Sequence, residues 1–218
     1  DVLIIGCGTT AIYIAERLKN SNKKIIMIEK GGLKNYQKNN NTKKLMTFPS
    51  HSGFKKNISI GVGGNSTLWG GQLVEFEKND FKKCYWGFNF LEIKKLYKKV
   101  YDFFGVNKIK LHDFLNFTNQ KNFRRKNIQS FYTQWLKEPN FKKLFFENLK
   151  EKKYQIFLNT EIMKFKFNKK ECEYVEIKSK NIIKRIYPKT VILCAGTFGN
   201  IEIMQKHKKD SPWRNNNL

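Results

Sequence analysis

Two short segments of the chain have the residue types that bring main chain close to a ligand. Residues 6–11 have the sequence GCGTTA, and residues 61–71 have the sequence GVGGNSTLWGG. Glycine alone tolerates positive φ angles and allows contact distance between backbone and ligand. The second segment also carries hydroxyls, and its Leu68 and Trp69 are apolar residues that favour burial. Together the segments indicate a large bound molecule with a phosphate end and a flat ring end.

The first segment has the surroundings of a dinucleotide-binding fingerprint. Residues 1–5 (DVLII) are typical of a buried parallel strand, and the glycines follow at G-x-G-x-x-A spacing. Gly6 would allow a tight turn, Gly8 the approach of a pyrophosphate, and Ala11 the close packing of a helix on the strand. Free amides at the start of that helix would hold the phosphates.

A second strand and an acid complete the pattern. Residues 24–28 (KIIMI) predict a strand that ends at Glu29, 21 positions after Gly8. An acid at this distance meets a ribose 2′-hydroxyl and disfavours a 2′-phosphate. These features predict a dinucleotide but do not distinguish FAD from NAD. The loop at 61–71 favours FAD, because main-chain groups must hold the long edge of a flavin ring.

Three parts of the chain resemble the glucose-methanol-choline (GMC) oxidoreductase family of FAD enzymes. They are the fingerprint together with residues 29–32 (EKGG), residues 63–71, and residues 191–200 (VILCAGTFGN). The third is similar to the family's strand that ends in an Ala-Gly turn, returns to the cofactor and precedes a helix. Residues 86–106 are similar to a helix that follows the flavin loop in sugar-oxidising members. The resemblance is therefore nearest to the sugar-oxidising and pyranose-oxidising branches.

The resemblance implies a set of cofactor contacts. It puts Thr9 and Thr10 at the pyrophosphate, Glu29 at the adenosine ribose, and residues 63–71 along the ring. The predicted cofactor-binding residues are Gly6, Gly8, Thr9, Thr10, Ala11, Glu29, Lys30, Gly63, Gly64, Asn65, Ser66, Thr67, Leu68, Trp69, Gly70, Gly71, Ile162, Ala195, Gly196 and Gly199. Pyranose oxidases attach their flavin through a histidine where this chain has Leu68, so we expect non-covalent FAD.

The predicted fold class is α/β: a Rossmann-like FAD-binding domain with a parallel sheet, an antiparallel β-meander and a mostly helical insertion. Residues 1–75 and 155–218 would form the FAD-binding domain, and residues 76–154 the insertion, part of a substrate or cap region. Apolar residues at helical spacing from Ile93 to Phe104 predict a helix capped at Asn89, with its stripe packed in the core. Residues 163–187 alternate with a period of two, which predicts the meander. Aromatic residues in 107–150 are typical of core packing, with an aromatic platform for a sugar as the alternative.

The expected chemistry is oxidation of a CH–OH group of an alcohol or sugar by hydride transfer to flavin, with an unknown electron acceptor. Such a reaction needs a base, usually a histidine. The resemblance places that histidine beyond Leu218, so no catalytic residue is assigned and the chain is expected to be inactive alone. His112 and His207 do not match the family's base, and a general base at His51 is the less favoured of two alternatives. A lone histidine such as His51 is more typical of an ordinary surface group.

The amino-acid composition narrows the classes of protein to which the chain could belong. The chain has 218 residues and a net charge of +25, from 43 Lys and Arg against 18 Asp and Glu. This excess is typical of nucleic-acid binders, but the lysines are scattered and arginine is scarce, so no nucleic-acid partner is expected. Cysteine spacing indicates neither a metal nor a disulfide framework. No run approaches the ~20 apolar residues of a membrane span, and a cytoplasmic location is expected. A nicotinamide-dependent dehydrogenase and a basic nucleic-acid-binding module remain the alternatives.

Overall fold

The computed structural model describes residues 1–37, 58–82, 87–107, 109, 124–125, 128–129, 132–150, 154–168 and 171–208. His51, Cys84, His112 and Phe131 lie outside these residues. The elements, in chain order, are β1 (Val2–Ile5), α1 (Thr9–Leu18), β2 (Ile25–Ile28), β3 (Tyr36–Gln37), β4 (Ser59–Ile60), a 3-10 turn (Gly64–Thr67), β5 (Gln72–Leu73), a second 3-10 turn (Asp80–Lys82), α2 (Phe90–Phe103), β6 (Arg124–Arg125), β7 (Ile128–Gln129), β8 (Gln134–Trp135), α3 (Phe141–Lys150), β9 (Gln155–Phe157), β10 (Thr160–Asn168), β11 (Glu171–Ser179), β12 (Ile182–Ile186), β13 (Thr190–Leu193) and α4 (Gly196–Lys206).

The chain divides into two compact units. Unit 1 contains residues 1–69 and 140–218, and unit 2 contains residues 70–139. Unit 2 is therefore inserted in the sequence of unit 1. The sequence predicts boundaries at 75/76 and 154/155 between a cofactor-binding part and a substrate or cap part. This division by function stays a prediction.

A parallel four-stranded sheet with the order β13-β1-β2-β9 forms the centre of unit 1. The four residues of β1 are all buried, as expected of a strand with neighbours on both sides. The buried face of α1 includes two small residues, Ala11 and Ala15, which are both almost fully inaccessible. The predicted Rossmann-like α/β fold is confirmed.

The antiparallel meander consists of β10, β11 and β12, and it is also confirmed. Phe165, Val175 and Ile177 form a buried cluster with residues of β1 and β2. The period-two pattern, in which Met163, Phe165 and Phe167 alternate with Lys164 and Lys166, is interrupted at Met163. The register shifts between Ile162 and Lys164, so Met163 is the extra residue of a bulge and is 38% exposed.

Helix α2 is the longest element described in unit 2, and its predicted cap is confirmed. The side chain of Asn89 accepts from the amide of Glu92 at 3.0 Å, and the carboxylate of Glu92 accepts from the amide of Asn89 at 2.7 Å. The expectation that its apolar stripe lies in the core is wrong for Leu96, which is 50% exposed, although Tyr101 is buried. The other strands and turns described in unit 2 have two or three residues each.

The described aromatic residues of the region 107–150 differ in burial. Phe141 and Phe145 are buried in α3 of unit 1, with ring centroids 5.9 Å apart, as core packing predicts. Trp135 belongs to unit 2 and is 60% exposed. Within the described ranges, no helix is both long and apolar enough to cross a bilayer.

Candidate cofactor-binding site

Gly6 follows β1 at a point where the main chain passes close to the end of β13. Its φ angle is +106°, which residues with a side chain rarely adopt. A Cβ atom at Gly6 would lie 2.7 Å from the carbonyl carbon of Cys194 and 3.0 Å from the amide nitrogen of Ala195. The protein itself therefore requires glycine at this position, with or without a ligand.

Gly8 caps α1 and has no comparable reason to be glycine. Its φ of −87° is ordinary, and the nearest described atom to a Cβ there would be the Cα of Gly64, at 3.9 Å. The amides of Thr9, Thr10 and Ala11 lie in the first turn of α1, where helices have no internal acceptor. None of the three donates to another described residue. Open space beside unpaired amides at the positive end of a helix dipole favours a phosphate.

The second glycine loop, residues 61–69, lies directly against the first. The amide of Gly63 donates to the carbonyl of Cys7 at 2.7 Å, and Gly8 and Gly63 form an isolated parallel bridge. A Cβ at Gly64 would lie 3.0 Å from the Cα of Gly8, so the loops touch through main-chain atoms. The φ angles of Gly63 and Gly64 are +91° and +50°. Within unit 1, the two glycine segments therefore meet through main-chain atoms at Gly8, Gly63 and Gly64.

The polar side chains of the second loop bind other parts of unit 1. The hydroxyl of Ser66, which is 2% exposed, donates to the carbonyl of Gly63 at 2.7 Å and accepts from the amide of Phe141 at 3.0 Å. The side-chain oxygen of Asn65 accepts from the amide of Ser59 at 2.9 Å. These two side chains hold the loop in place, so contacts from this segment to a ligand would come from its main chain.

Thr67 has the same structural role. Its hydroxyl donates to the carbonyl of Gly64 at 2.9 Å and lies 2.9 Å from the hydroxyl of Ser59. Ser59 in turn accepts from the side-chain amide of Asn35 at 3.1 Å. This network ties the loop to β4 and to the segment that follows β2.

Leu68 and Trp69 are more exposed than their apolar side chains led us to expect. Leu68 is 46% exposed and Trp69 is 37% exposed, with the Trp69 ring centroid 6.3 Å from that of Phe141. Gly70 and Gly71 belong to unit 2 rather than to the loop of unit 1. Gly71 has a φ of +81°, and a Cβ there would lie 2.7 Å from the Cβ of Pro139. Packing within unit 2 thus explains Gly71 without a ligand.

Glu29 lies at the end of β2, buried between the two loops. One carboxylate oxygen accepts from the amide of Cys7 and the other from the amide of Gly31, both at 2.8 Å. A Cβ at Gly31 would lie 2.6 Å from the amide nitrogen of Gly61, so this segment is also packed on the second loop. A carboxylate has about four acceptor positions, so two remain for hydroxyl donors such as those of a ribose.

The segment after β13 closes the site from the other side of β1. The amide of Cys194 donates to the carbonyl of Ile5 at 2.7 Å. The side chain of Asn200 then braces the turn, accepting from the amide of Ala195 at 2.9 Å. A Cβ at Gly199 would lie 2.8 Å from the Cβ of Ala195, whereas none of the described atoms lies within 4 Å of one at Gly196. The role of Asn200 was not predicted, although asparagine is a residue type whose side chain often binds the backbone of a turn.

Lys30 and Ile162 are two further predicted cofactor contacts. Lys30 is exposed and pairs with Glu161 at 3.3 Å. Ile162 is half-buried in β10, where it pairs with Ile177 of β11. Neither position shows a contact that requires a cofactor, and both assignments stay predictions.

The cysteines of this region are not poised for chemistry. Burial is the main cause that raises the pKa of the Cys7 thiol to about 12, and the Glu29 carboxylate adds to it; a hydrogen bond from the Gly63 backbone acts the other way. Burial also raises the pKa of Cys194. Among the described residues, no group of three or more acids, cysteines and histidines is placed to hold a metal ion.

His207 is the one histidine in the described part of the chain. It is buried at the end of α4, with its ring 5.1 Å from that of Phe165 in an edge-on arrangement. This environment is that of a core residue.

The fold and the paired glycine loops define a protein of the Rossmann-like α/β class. No family model matches this chain, and no curated protein matches it. Among solved structures, the chain is similar to an FAD-dependent oxidoreductase from Chaetomium thermophilum, solved in complex with a small-molecule fragment. The TM-score is 0.56 at 14% sequence identity, and the match covers 95% of this chain and 47% of that one. This chain therefore spans about half the length of the protein it resembles in fold.

Proposed function

We propose that this chain is the N-terminal portion of an FAD-dependent oxidoreductase. The observation that carries the proposal is the direct contact between the two glycine loops, in which the amide of Gly63 binds the carbonyl of Cys7 at 2.7 Å. A dinucleotide site needs only the first loop. A second glycine loop held against it suits a cofactor that continues past the diphosphate into a long flat ring. The fold shared with an FAD-dependent oxidoreductase supports the same proposal.

The residues of the site fit FAD in three ways. Amides of Thr9, Thr10 and Ala11 would hold the diphosphate beside Gly8, where a Cβ would occupy otherwise open space. Glu29 would accept from the ribose hydroxyls with its remaining lone pairs. The main chain of residues 61–69 would follow the ring, because its polar side chains are already bound to the protein.

The reaction we propose is oxidation of a CH–OH group of an alcohol or sugar, as in the GMC oxidoreductases that the sequence resembles. When bound, FAD accepts a hydride in such chemistry. The residues of this chain would bind and orient the cofactor, and the proton-accepting base would lie outside it. Leu68 cannot form a covalent link to the flavin, so the cofactor would be dissociable.

The test is to purify the full-length protein and to identify its bound cofactor. We expect a yellow protein that releases FAD on denaturation and whose visible absorbance bleaches when a suitable sugar or polyol is added without oxygen. Release of NAD, with no flavin bound even after incubation with FAD, would contradict the proposal and favour the nicotinamide-dependent alternative. Release of FAD without bleaching by any polyol would retain the flavoprotein but refute the proposed substrate class.

A further inference from the structure

Ser66 joins the second glycine loop to a helix that begins 75 residues later. Its hydroxyl donates to the carbonyl of Gly63, three residues before it, and accepts from the amide of Phe141, the first residue of α3. With 2% of its surface exposed, Ser66 makes these bonds away from solvent. The amide of Phe141 is one that a helix cannot satisfy internally, so Ser66 caps α3 from a distant segment.

The cap lies where the chain leaves and re-enters unit 1. Ser66 lies three residues before Trp69, the last residue of unit 1 before the inserted unit 2. Phe141 follows Asn140, the first residue of unit 1 after unit 2. The first turn of α3 also packs on the loop itself, since a Cβ at Gly63 would lie 3.2 Å from the amide nitrogen of Lys142. The second glycine loop is thereby held by Cys7 at Gly63 and by α3 at Gly63 and Ser66.

We infer that Ser66 is a positioning residue for the cofactor, and this inference rests on the proposed FAD site. Its hydroxyl holds the carbonyl of Gly63, and the amide of the same residue binds the carbonyl of Cys7, which sets the spacing between the two glycine loops. Ser66 does not need to touch the cofactor, because both of its hydrogen bonds are made to the protein.

Removal of the Ser66 hydroxyl affects its two hydrogen-bond partners, the Gly63 carbonyl and the Phe141 amide, unequally. The carbonyl of Gly63 keeps the amide of Ser66 as a donor, at 3.1 Å, but the buried hydrogen bond from the amide of Phe141 to the hydroxyl is lost. Loss of a buried hydrogen bond is costly, and the local structure around the start of α3 is expected to shift in response. Because Gly63 packs on the first turn of α3, that shift moves Gly63 relative to Cys7.

The experiment compares Ser66→Ala with Ser21→Ala in the full-length protein. Ser21 is a matched control, because its hydroxyl also donates to the carbonyl three residues before it, at 2.6 Å, but at the end of α1 away from both loops. Each apoprotein is titrated with FAD and followed by flavin fluorescence. Visible circular dichroism of the bound flavin and the unfolding midpoint of the apoprotein are measured on the same samples.

We expect Ser66→Ala to weaken FAD binding by about 10-fold or more and to change the circular dichroism of the bound flavin, with Ser21→Ala unchanged in both. Ser66→Cys keeps nearly the same volume with a weaker hydrogen-bonding group, so it should fall between Ser66→Ala and the wild type. It also serves as the test variant if Ser66→Ala does not fold.

The inference is overturned if the Ser66 variants bind FAD within twofold of the wild type with an unchanged flavin spectrum. It is also overturned if Ser21→Ala weakens binding equally, because the effect would then follow stability alone. A wild-type protein that does not bind FAD at all would instead refute the proposed function, so the two failures are distinct.

Discussion

The two glycine loops of unit 1 look alike in sequence but differ in what surrounds their main chain. In the first loop, the amides of Thr9 and Thr10 bind no described residue, and the space beside Gly8 is open. In the second loop, the side chains of Ser66 and Thr67 are bound to backbone within the protein. The first loop therefore leaves amides and space available for the proposed ligand, and the second is held in a fixed shape beside it.

The same contrast exists between two glycines of the first loop. Gly6 is required by the fold, because a Cβ there would overlap the end of β13 and its φ is +106°. Gly8 is not required by any described neighbour. A glycine that the protein does not need for itself is the stronger indication of a ligand. Substitutions at these glycines and at the residues that bind the loops test this difference.

Gly6→Ala should have the largest effect. Strain at positive φ and overpacking against the carbonyl group of Cys194 together would destabilise the fold by about 4 kcal/mol, summing ordinary values for each. Since whole domains are stable by only ~5–15 kcal/mol, much of the protein should be lost as insoluble material. Chemical unfolding of the soluble fraction measures the change. A stability within about 1 kcal/mol of the wild type would show that the two strand ends do not approach as described.

Glu29→Gln tests the residue that binds both the first loop and the segment packed on the second. A glutamine would place an N–H group opposite the amide of either Cys7 or Gly31, both of which now donate to the carboxylate at 2.8 Å. We expect a loss of about 2 kcal/mol in unfolding free energy, because charge-assisted hydrogen bonds in buried sites have about this value.

Glu161→Gln is the matched control for this carboxylate. Glu161 forms an exposed pair with Lys30 at 3.3 Å, and such pairs contribute less than about 1 kcal/mol. Equal losses in the two variants would contradict the role given to Glu29.

Cys7 provides a pH-dependent test of how closely the loops are packed. Its folded pKa of about 12 exceeds its ordinary value of 9.0, so the folded state favours the neutral thiol. The stability linked to this thiol is complete below pH ~9 and is lost as the pH rises towards ~12. Cys7→Ala should therefore show a smaller decline of unfolding free energy between these pH values than the wild type.

Thiol labelling gives a second measurement at the same residue. Because the thiolate is the nucleophile, a pKa near 12 should slow alkylation of native Cys7 at pH 8 by about a thousandfold relative to the unfolded chain. Mass spectrometry after brief treatment with iodoacetamide reports this directly. Rapid labelling of Cys7 in the native protein would mean that the loops separate often.

Sequence reasoning predicted the elements that local pattern determines. The apolar runs of β1 and β2, the glycine spacing and the cap at Asn89 each depend on neighbouring residues, and each is present. It missed what depends on distant partners. Nothing near Ser66 in sequence indicates that its hydroxyl binds Phe141, and the bulge at Met163 depends on pairing with β11. The ligand contacts predicted for Asn65, Ser66 and Thr67 stay predictions, and the bonds of these side chains to the protein were not visible in the sequence pattern.

The most direct test of the account is the titration of Gly8→Ala with FAD. The backbone angles at Gly8 suit alanine, and a Cβ there would meet no described atom closer than 3.9 Å, so the unfolding free energy should stay within about 1 kcal/mol of the wild type. FAD binding should weaken by about 10-fold or more, because the Cβ occupies the space through which the diphosphate approaches the main chain. If Gly8→Ala binds FAD as tightly as the wild type, the open side of the first loop is not the cofactor site.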